Sequence, residues 1–379
     1  MANAPTQAQN VPAIPFRIAS RKQTRLAFAP ATIALGASAS TPLSPIEIPA
    51  TGYLSAVRLE VSGTWAGGGA GTSFNADAPF NVISTIGVRD ASGTPIITPI
   101  GGYALYVINK YFGVSFSGNA QDPKLSRSYA ATGGTATGTF SFFLHLPFEF
   151  DKTTGLGSLP ALASNRSYIV DVTFASISTV FGATNTPTGV NLTFKGYSEY
   201  WAQPAAANSL GQAQETQPQG LGTLARILME TPAVPAGATT YVKSNNVGGT
   251  IRNVALVLRT AAGARTDADF PAVFQWYLDN EPQVYYTKTY FQDLISRWFN
   301  LTSATLDAAG GLDTGVYVLP FHALLAGVAG DSEASRGQLL NTNSASLLQY
   351  YAASFGASAS SLEIYTQTIS GAASVIYAR

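Results

Sequence analysis

The sequence contains no cysteine. That removes a disulfide framework and any cysteine-based metal or redox centre, without fixing the compartment, because a cysteine-free chain folds in either redox environment. Histidine is almost as scarce: His145 and His322 are the only two, too few for a histidine-rich metal centre. Charge is scarce as well. Asp, Glu, Lys and Arg make up 11% of the chain, against roughly 25% in an average soluble protein. The 21 basic and 21 acidic residues cancel, so the basic excess of a general nucleic-acid binder is missing and no sequence-specific nucleic-acid partner is expected. No uninterrupted apolar run reaches the roughly 18 residues of a spanning helix. The segment around Arg21, Lys22 and Arg25, followed by the mostly apolar stretch from Leu26 to Gly36 and by Ala37 and Ala39, has the outline of a signal peptide. Pro30 interrupts its apolar part, and the basic cluster begins well inside the chain.

What the chain does have is apolar and small residues. Hydrophobic residues reach 46% over 379 positions, which describes a globular protein with a sizeable core. At roughly 150 residues per domain, two domains are expected. A surface so poor in charge fits a protein that buries much of it against copies of itself. An uncharged extracellular β-protein would share the composition.

Residues 1–46 form a first unit, an arm rich in Ala, Pro and Gln. It carries Arg17, Arg21, Lys22 and Arg25, and its first acidic neighbour is Glu47. Such an arm is either a solvated tail or a contact to neighbouring subunits or an anionic surface. From Gly52 the chain reads as short strands broken by turns. Alternation begins at Val57 and continues through Leu59 and Val61. A further strand runs from Phe80 to Val88 and ends at the turn signal Asp90–Gly93. Between Gly101 and Gly113, Tyr103, Val107 and Tyr111 fall four apart, as do Ala104, Ile108 and Phe112. This spacing predicts a short helix. An aromatic strand follows from Thr139 to Phe150, with Pro147 marking its end or a bulge. Strands at Tyr168–Phe174 and Val190–Tyr197 close the first half. Residues 202–238, rich in Gln, Pro and Ala at their start, read as a linker.

The second half repeats that order. A strand runs from Ile251 to Leu258, another from Phe274 to Leu278, and a helix pattern places Tyr290, Leu294 and Trp298 four apart beside Phe291, Ile295 and Phe299. Val316–Phe321 answers Leu144–Phe148, each with a Leu-Pro-Phe core. Leu339–Phe355 and the strand from Leu362 to Ile369 complete the series. Repetition of six elements in one order, including a lone helix, means two copies of one β-sandwich. The expected fold is therefore all-β: two tandem eight-stranded jelly-roll β-sandwiches, each with a short helical insert. Its boundaries are an arm at 1–46, a first roll at 47–201, a linker at 202–238 and a second roll at 239–379.

With these elements in place, the sequence resembles the double jelly-roll major capsid proteins of tailless, membrane-containing double-stranded DNA phages, the tectivirus type. The resemblance rests on the strand that opens at Gly52, the strand from Phe142 to Phe148, the Gly157–Leu162 stretch leading to Tyr168–Val172, the helical insert and the closing strand at Leu362. It spans residues 50–379 and lies in layout, not in one motif. It implies that three subunits, each with two upright rolls, form a pseudo-hexameric trimer that tiles an icosahedral shell over an internal lipid membrane. The arm with Arg17, Arg21, Lys22 and Arg25 would lie at the base, against the viral membrane and neighbouring trimers. Vertex and minor capsid proteins are implied partners, the virion is the implied location, and assembly in the host cytoplasm is expected. No catalytic residue, cofactor or named ion site comes with the resemblance.

Signals for catalysis are thin. Gly113, Ser115 and Ser117 miss the final glycine of a nucleophile elbow. His145 and His322 flank the two Leu-Pro-Phe strands in equivalent places, which points to structural use. Glu149 and Asp151 sit close enough to suggest a glycosidase pair, although solvated strand-end residues have the same spacing. Asp267, Asp269 and Asp279 lie near turns without the spacing of a calcium loop. Tyr285–Tyr286 and Tyr350–Tyr351 are candidate sugar-stacking pairs or core and interface residues. Three readings follow: a capsid subunit first, a secreted or surface carbohydrate-binding β-sandwich second, and a glycosidase third.

Overall fold

The computed structural model describes residues 12–49, 52–69, 72–112, 127–129, 137–150, 155–162, 167–218, 220–299, 313–321 and 339–370. Three sheets organise them. In the first, the strands run in the order Lys22–Phe28, Gly189–Trp201, Gly52–Ala66, Gly138–Pro147 and Arg127–Tyr129. In the second, the order is Val316–Leu319, Thr250–Thr260, Ala359–Ser370, Leu224–Glu230, Pro95–Ile100, Ile83–Arg89, Tyr168–Phe174 and Thr41–Pro42. The third runs Thr240–Ser244, Leu348–Ala352, Val273–Leu278 and Glu281–Thr287.

The predicted duplication holds at the level of pairing. In the first half, Gly52–Ala66 lies between Gly189–Trp201 and Gly138–Pro147; in the second, Thr250–Thr260 lies between Ala359–Ser370 and Val316–Leu319. Ile83–Arg89 lies between Pro95–Ile100 and Tyr168–Phe174, as Val273–Leu278 lies between Glu281–Thr287 and Leu348–Ala352. The helices Gly102–Tyr111 and Lys288–Phe299 follow equivalent strands. The fold is a double jelly roll, as the repeated order predicts.

Two expectations are corrected by the same pairing. The arm is not a separate unit throughout, because Lys22–Phe28 forms the edge of the first sheet against Gly189–Trp201, and Ile46–Ile48 pairs with Tyr168–Val170. Gly196 makes room for this edge: a Cβ there would lie 2.1 Å from the Phe28 ring. The span assigned to the linker also contains a strand, Leu224–Glu230, which pairs with Ala359–Ser370. These two strands are themselves equivalent, each flanking the closing strand of its roll. Of the sequence features above, residues 1–11, most of the loop at 113–138, Asp151 and His322 lie outside the described residues.

Burial explains why the strands read differently. Gly52–Ala66 alternates from Val57, with Val57, Leu59 and Val61 buried and Arg58 exposed. The sequence pattern puts Val254, Leu256 and Leu258 on one face of their strand, yet Ala255 and Val257 are buried too. Both faces of that strand are buried, and the Gly102–Tyr111 helix of the first roll lies against it. The helix carries apolar residues all round, and all but Tyr106 are buried, as expected for a helix enclosed on every side. Its counterpart Lys288–Phe299 is one-sided: Phe291 and Ile295 are buried while Tyr290 and Arg297 are exposed.

Phe291 stacks against Tyr286 at 4.8 Å and Phe274 at 5.9 Å. Replacing it with alanine removes a fully buried ring, and Phe291→Ala is expected to destabilise the protein by about 3–5 kcal/mol. Denaturant unfolding monitored by tryptophan fluorescence measures this. A midpoint unchanged from wild type would show that the helix does not pack as described.

Candidate assembly surfaces and the inter-roll junction

The two rolls meet edge to edge. Pro95–Ile100 of the first pairs in parallel with Leu224–Glu230 of the second at Ile97 and Ile227, and Thr98 Oγ1 donates to the Ile227 carbonyl at 3.1 Å. This joins half of each roll into one continuous sheet.

Around that seam the chain concentrates its few buried charges. Asp77 of the first roll accepts Arg265 Nε at 2.7 Å and pairs with Arg259 Nη1 at 2.8 Å. Arg259 Nε also lies 2.7 Å from Glu363. Arg265 donates to the carbonyls of Ala76 and Thr314 and lies over the Tyr103 ring at 4.6 Å. Nearby, Lys110 Nζ reaches both Asp313 oxygens at 2.6 and 2.7 Å, and the Tyr111 hydroxyl donates to the same carboxylate at 2.8 Å. The Lys110 and Asp313 side chains are each only 6% exposed. Arg252 donates to the Phe112 carbonyl at 2.9 Å, accounting for the end of the first-roll helix.

The electrostatics follow from burial. Enclosure pushes the Tyr103 and Tyr111 hydroxyls well above their ordinary range, and Asp313 adds to the rise at both. Burial alone would lower the Arg259 pKa, but the carboxylates of Glu363 and Asp77 reverse this and leave it raised. The two tyrosine hydroxyls therefore stay protonated. A cleft of about 250 Å³ opens beside these groups, lined among others by Asp77, Asn81, Tyr103, Arg259 and Glu363.

The four basic residues of the arm do not form one patch. Phe16 anchors the short helix Phe16–Ala19, packing edge-on against Tyr53 at 5.3 Å and Trp201 at 6.2 Å. Arg17 on that helix is exposed, as are Arg21, Lys22 and Arg25. Lys22 pairs with Glu149 at 3.0 Å and lies over the Trp201 ring at 5.4 Å. Alternation along the strand sends Arg25 to the opposite face from Lys22.

The other sequence candidates have structural surroundings. Glu149 accepts from Trp201 Nε1 at 3.2 Å besides pairing with Lys22. The Asn109 side chain bonds the backbone of His145 in both directions, at 2.6 and 2.8 Å, and ties helix to strand. Asp279 accepts from the backbone of Ser346 and Leu347, and these bonds, with that from the Ser346 hydroxyl, hold its carboxyl below the usual range. Asp267 pairs with Lys288 at 3.0 Å, and Asp269 bonds Thr266 and the backbone of Ser358. Among the described residues no group of three or more Asp, Glu or His is placed to hold a metal ion. The adjacent tyrosines separate: Tyr286 and Tyr350 turn inward while Tyr285 is exposed. An outward cluster forms instead from Tyr241, Tyr277 and Tyr351, with Tyr241 5.0 Å from Tyr351 and 5.6 Å from Tyr277.

No model of a protein family matches this sequence, and no curated protein matches it. Solved structures do match in fold. The STIV MCP superposes with a TM-score of 0.62 at 13% identity, covering 92% of this chain and 96% of that one. A chain of the PBCV-1 virus capsid superposes at 0.60 and 12% identity, over 92% and 94%. The major capsid protein P2 from bacteriophage PM2 superposes at 0.51 and 10% identity, over 93% and 99%. The likeness runs through both rolls and so extends to their arrangement in one chain.

Removing one partner of the enclosed pair should be costly. Asp313→Ala leaves the Lys110 ammonium buried without its carboxylate and is expected to destabilise the protein by about 3–5 kcal/mol. The double substitution Lys110→Met with Asp313→Leu should recover most of that loss, because neither charge is then stranded. Urea midpoints of the two variants against wild type measure it. Equal losses in the single and double variants would show that lost packing dominates.

Proposed function

We propose that this protein is a viral major capsid protein, a structural subunit whose homotrimers present six rolls in a ring and tile an icosahedral shell. The observation that carries this reading is the whole-chain likeness to viral capsid proteins of the same two-roll arrangement. The low charge supports it, since the centres of obligate interfaces are depleted in charge. The work of such a subunit is mechanical: the rolls form rigid blocks, and the enclosed ion pairs hold their relative setting. The virion is its place of action, and vertex and minor capsid proteins are its further partners.

In the finer reading the virus is a tectivirus-like phage assembled in the host cytoplasm, and the arm faces an internal membrane. Exposed Arg17 and Arg21 support this, next to exposed Ile18, since a cation beside an apolar side chain suits an anionic lipid surface. Binding to anionic phospholipid vesicles should then fall severalfold in the Arg17→Glu, Arg21→Glu variant and with added salt. Flotation that is unaffected by either would remove the membrane from the account. The outward cluster of Tyr241, Tyr277 and Tyr351 favours a second reading, carbohydrate binding, since such rings suit sugar stacking.

Light scattering across a dilution series separates the two. The capsid reading predicts a stable particle of three times 39.6 kDa. A strict monomer that binds glycans would replace it with the second reading.

A further inference from the structure

The duplication leaves two strands without the neighbour that their counterparts have. Within the chain, Pro95–Ile100 of the first roll is joined to Leu224–Glu230 of the second. The equivalent of Pro95–Ile100 in the second roll is Glu281–Thr287, which ends its sheet; the equivalent of Leu224–Glu230 in the first roll is Lys22–Phe28, which ends its own. Among the described residues neither has a further strand beyond it. Open edges of this kind are templates for pairing with another chain.

We propose that these two edges bind each other between copies of this chain, Glu281–Thr287 of one against Lys22–Phe28 of the next, repeating the internal junction head to tail. The inference rests on the capsid reading and supplies its trimer contact. A head-to-tail contact between unlike surfaces closes into a ring when its rotation allows. Three chains with three internal and three external junctions make a six-roll ring.

The register of the new contact follows from the old one. Ile86 pairs with Ile100, and Phe274 with Tyr286, each partner standing two residues ahead of its helix. Two residues along, Val88 faces Ile97 and Trp276 faces Val284, so Val284 takes the place of Ile97. On the other side, the residues before Pro147 and Pro320 pair with Val57 and Val254. Val57 leads through Ser198 to Arg25, and Val254 leads through Thr366 to Leu228. Thr24 therefore takes the place of Ile227, and Thr24 of one copy meets Val284 of the next.

Charge and exposure agree with this assignment. Lys22–Phe28 carries Lys22 and Arg25 and no acid, while Glu281–Thr287 carries Glu281 and no base. Leu26 is 50% exposed on the first edge, Tyr285 is 59% exposed on the second, and Tyr290 on the helix that follows is 50% exposed. At the internal junction every residue of the equivalent helix but Tyr106 is buried, whereas Lys288–Phe299 exposes Tyr290 and Arg297, a face that a neighbouring roll would cover.

The absence of cysteine gives a clean test. The double variant Thr24→Cys, Val284→Cys, treated with a short bis-maleimide, should convert most of the protein from single chains to covalent trimers on a denaturing gel. Either single variant should remain single-chain, because three-fold-related copies of one position do not meet. If Val284→Cys does not fold, the exposed Tyr285→Cys paired with Thr24→Cys serves in its place. Trimers by light scattering that do not cross-link would overturn this edge pairing and leave the capsid reading standing. Monomers at every concentration would overturn both.

Discussion

The structure turns on one helix, Gly102–Tyr111, which is buried at every residue but Tyr106 and packs against elements of both rolls. Its own roll supplies one wall, and the back of the Thr250–Thr260 strand supplies another. A helix apolar all round cannot face water over that area without a large cost. The second roll is therefore held to the first by the same burial that folds the first. The polar groups at its end, Lys110 and Tyr111, find Asp313, and its last carbonyl at Phe112 finds Arg252. Buried pairs of this kind add little net stability when intact and a large penalty when one member is lost. Their effect is to favour one relative setting of the rolls over slightly shifted ones.

This explains where the few charges went. Asp77, Arg259, Arg265 and Glu363 gather at the seam while the sheets' interiors are filled by Phe, Ile, Leu and Val. Among the described residues the buried charges are Lys110, Arg252, Arg265 and Asp313, and with only 11% of the chain charged the outer surface is poor in charge. Such a surface suits packing against further copies, and it links the composition to the proposed assembly through the fold.

Much of the fold was legible in the sequence, for identifiable reasons. The two Leu-Pro-Phe strands and the four-residue spacing from Tyr103 to Tyr111 and from Phe291 to Phe299 mark equivalent elements, and order alone reveals the duplication. Lys22–Phe28 escaped because an edge strand exposed on both faces shows no alternation, and its basic residues read as a tail. Leu224–Glu230 escaped because it follows directly on a Gln- and Pro-rich stretch. The junction charges were beyond sequence reasoning: Asp77 and Arg265 are 188 residues apart, and no local pattern marks either as a partner. The tyrosine pairs divide between the core and the surface because neighbouring residues on a strand face opposite ways, which puts Tyr286 inside and Tyr285 outside.

The central claim is that one junction, seen within the chain, is used again between chains. Electron-microscopic class averages of the purified oligomer, viewed down its axis, test it most directly. The account predicts a closed ring of six similar lobes with six similar seams. Three separate two-lobed bodies joined by contacts unlike the internal seam, or single two-lobed particles, would contradict it.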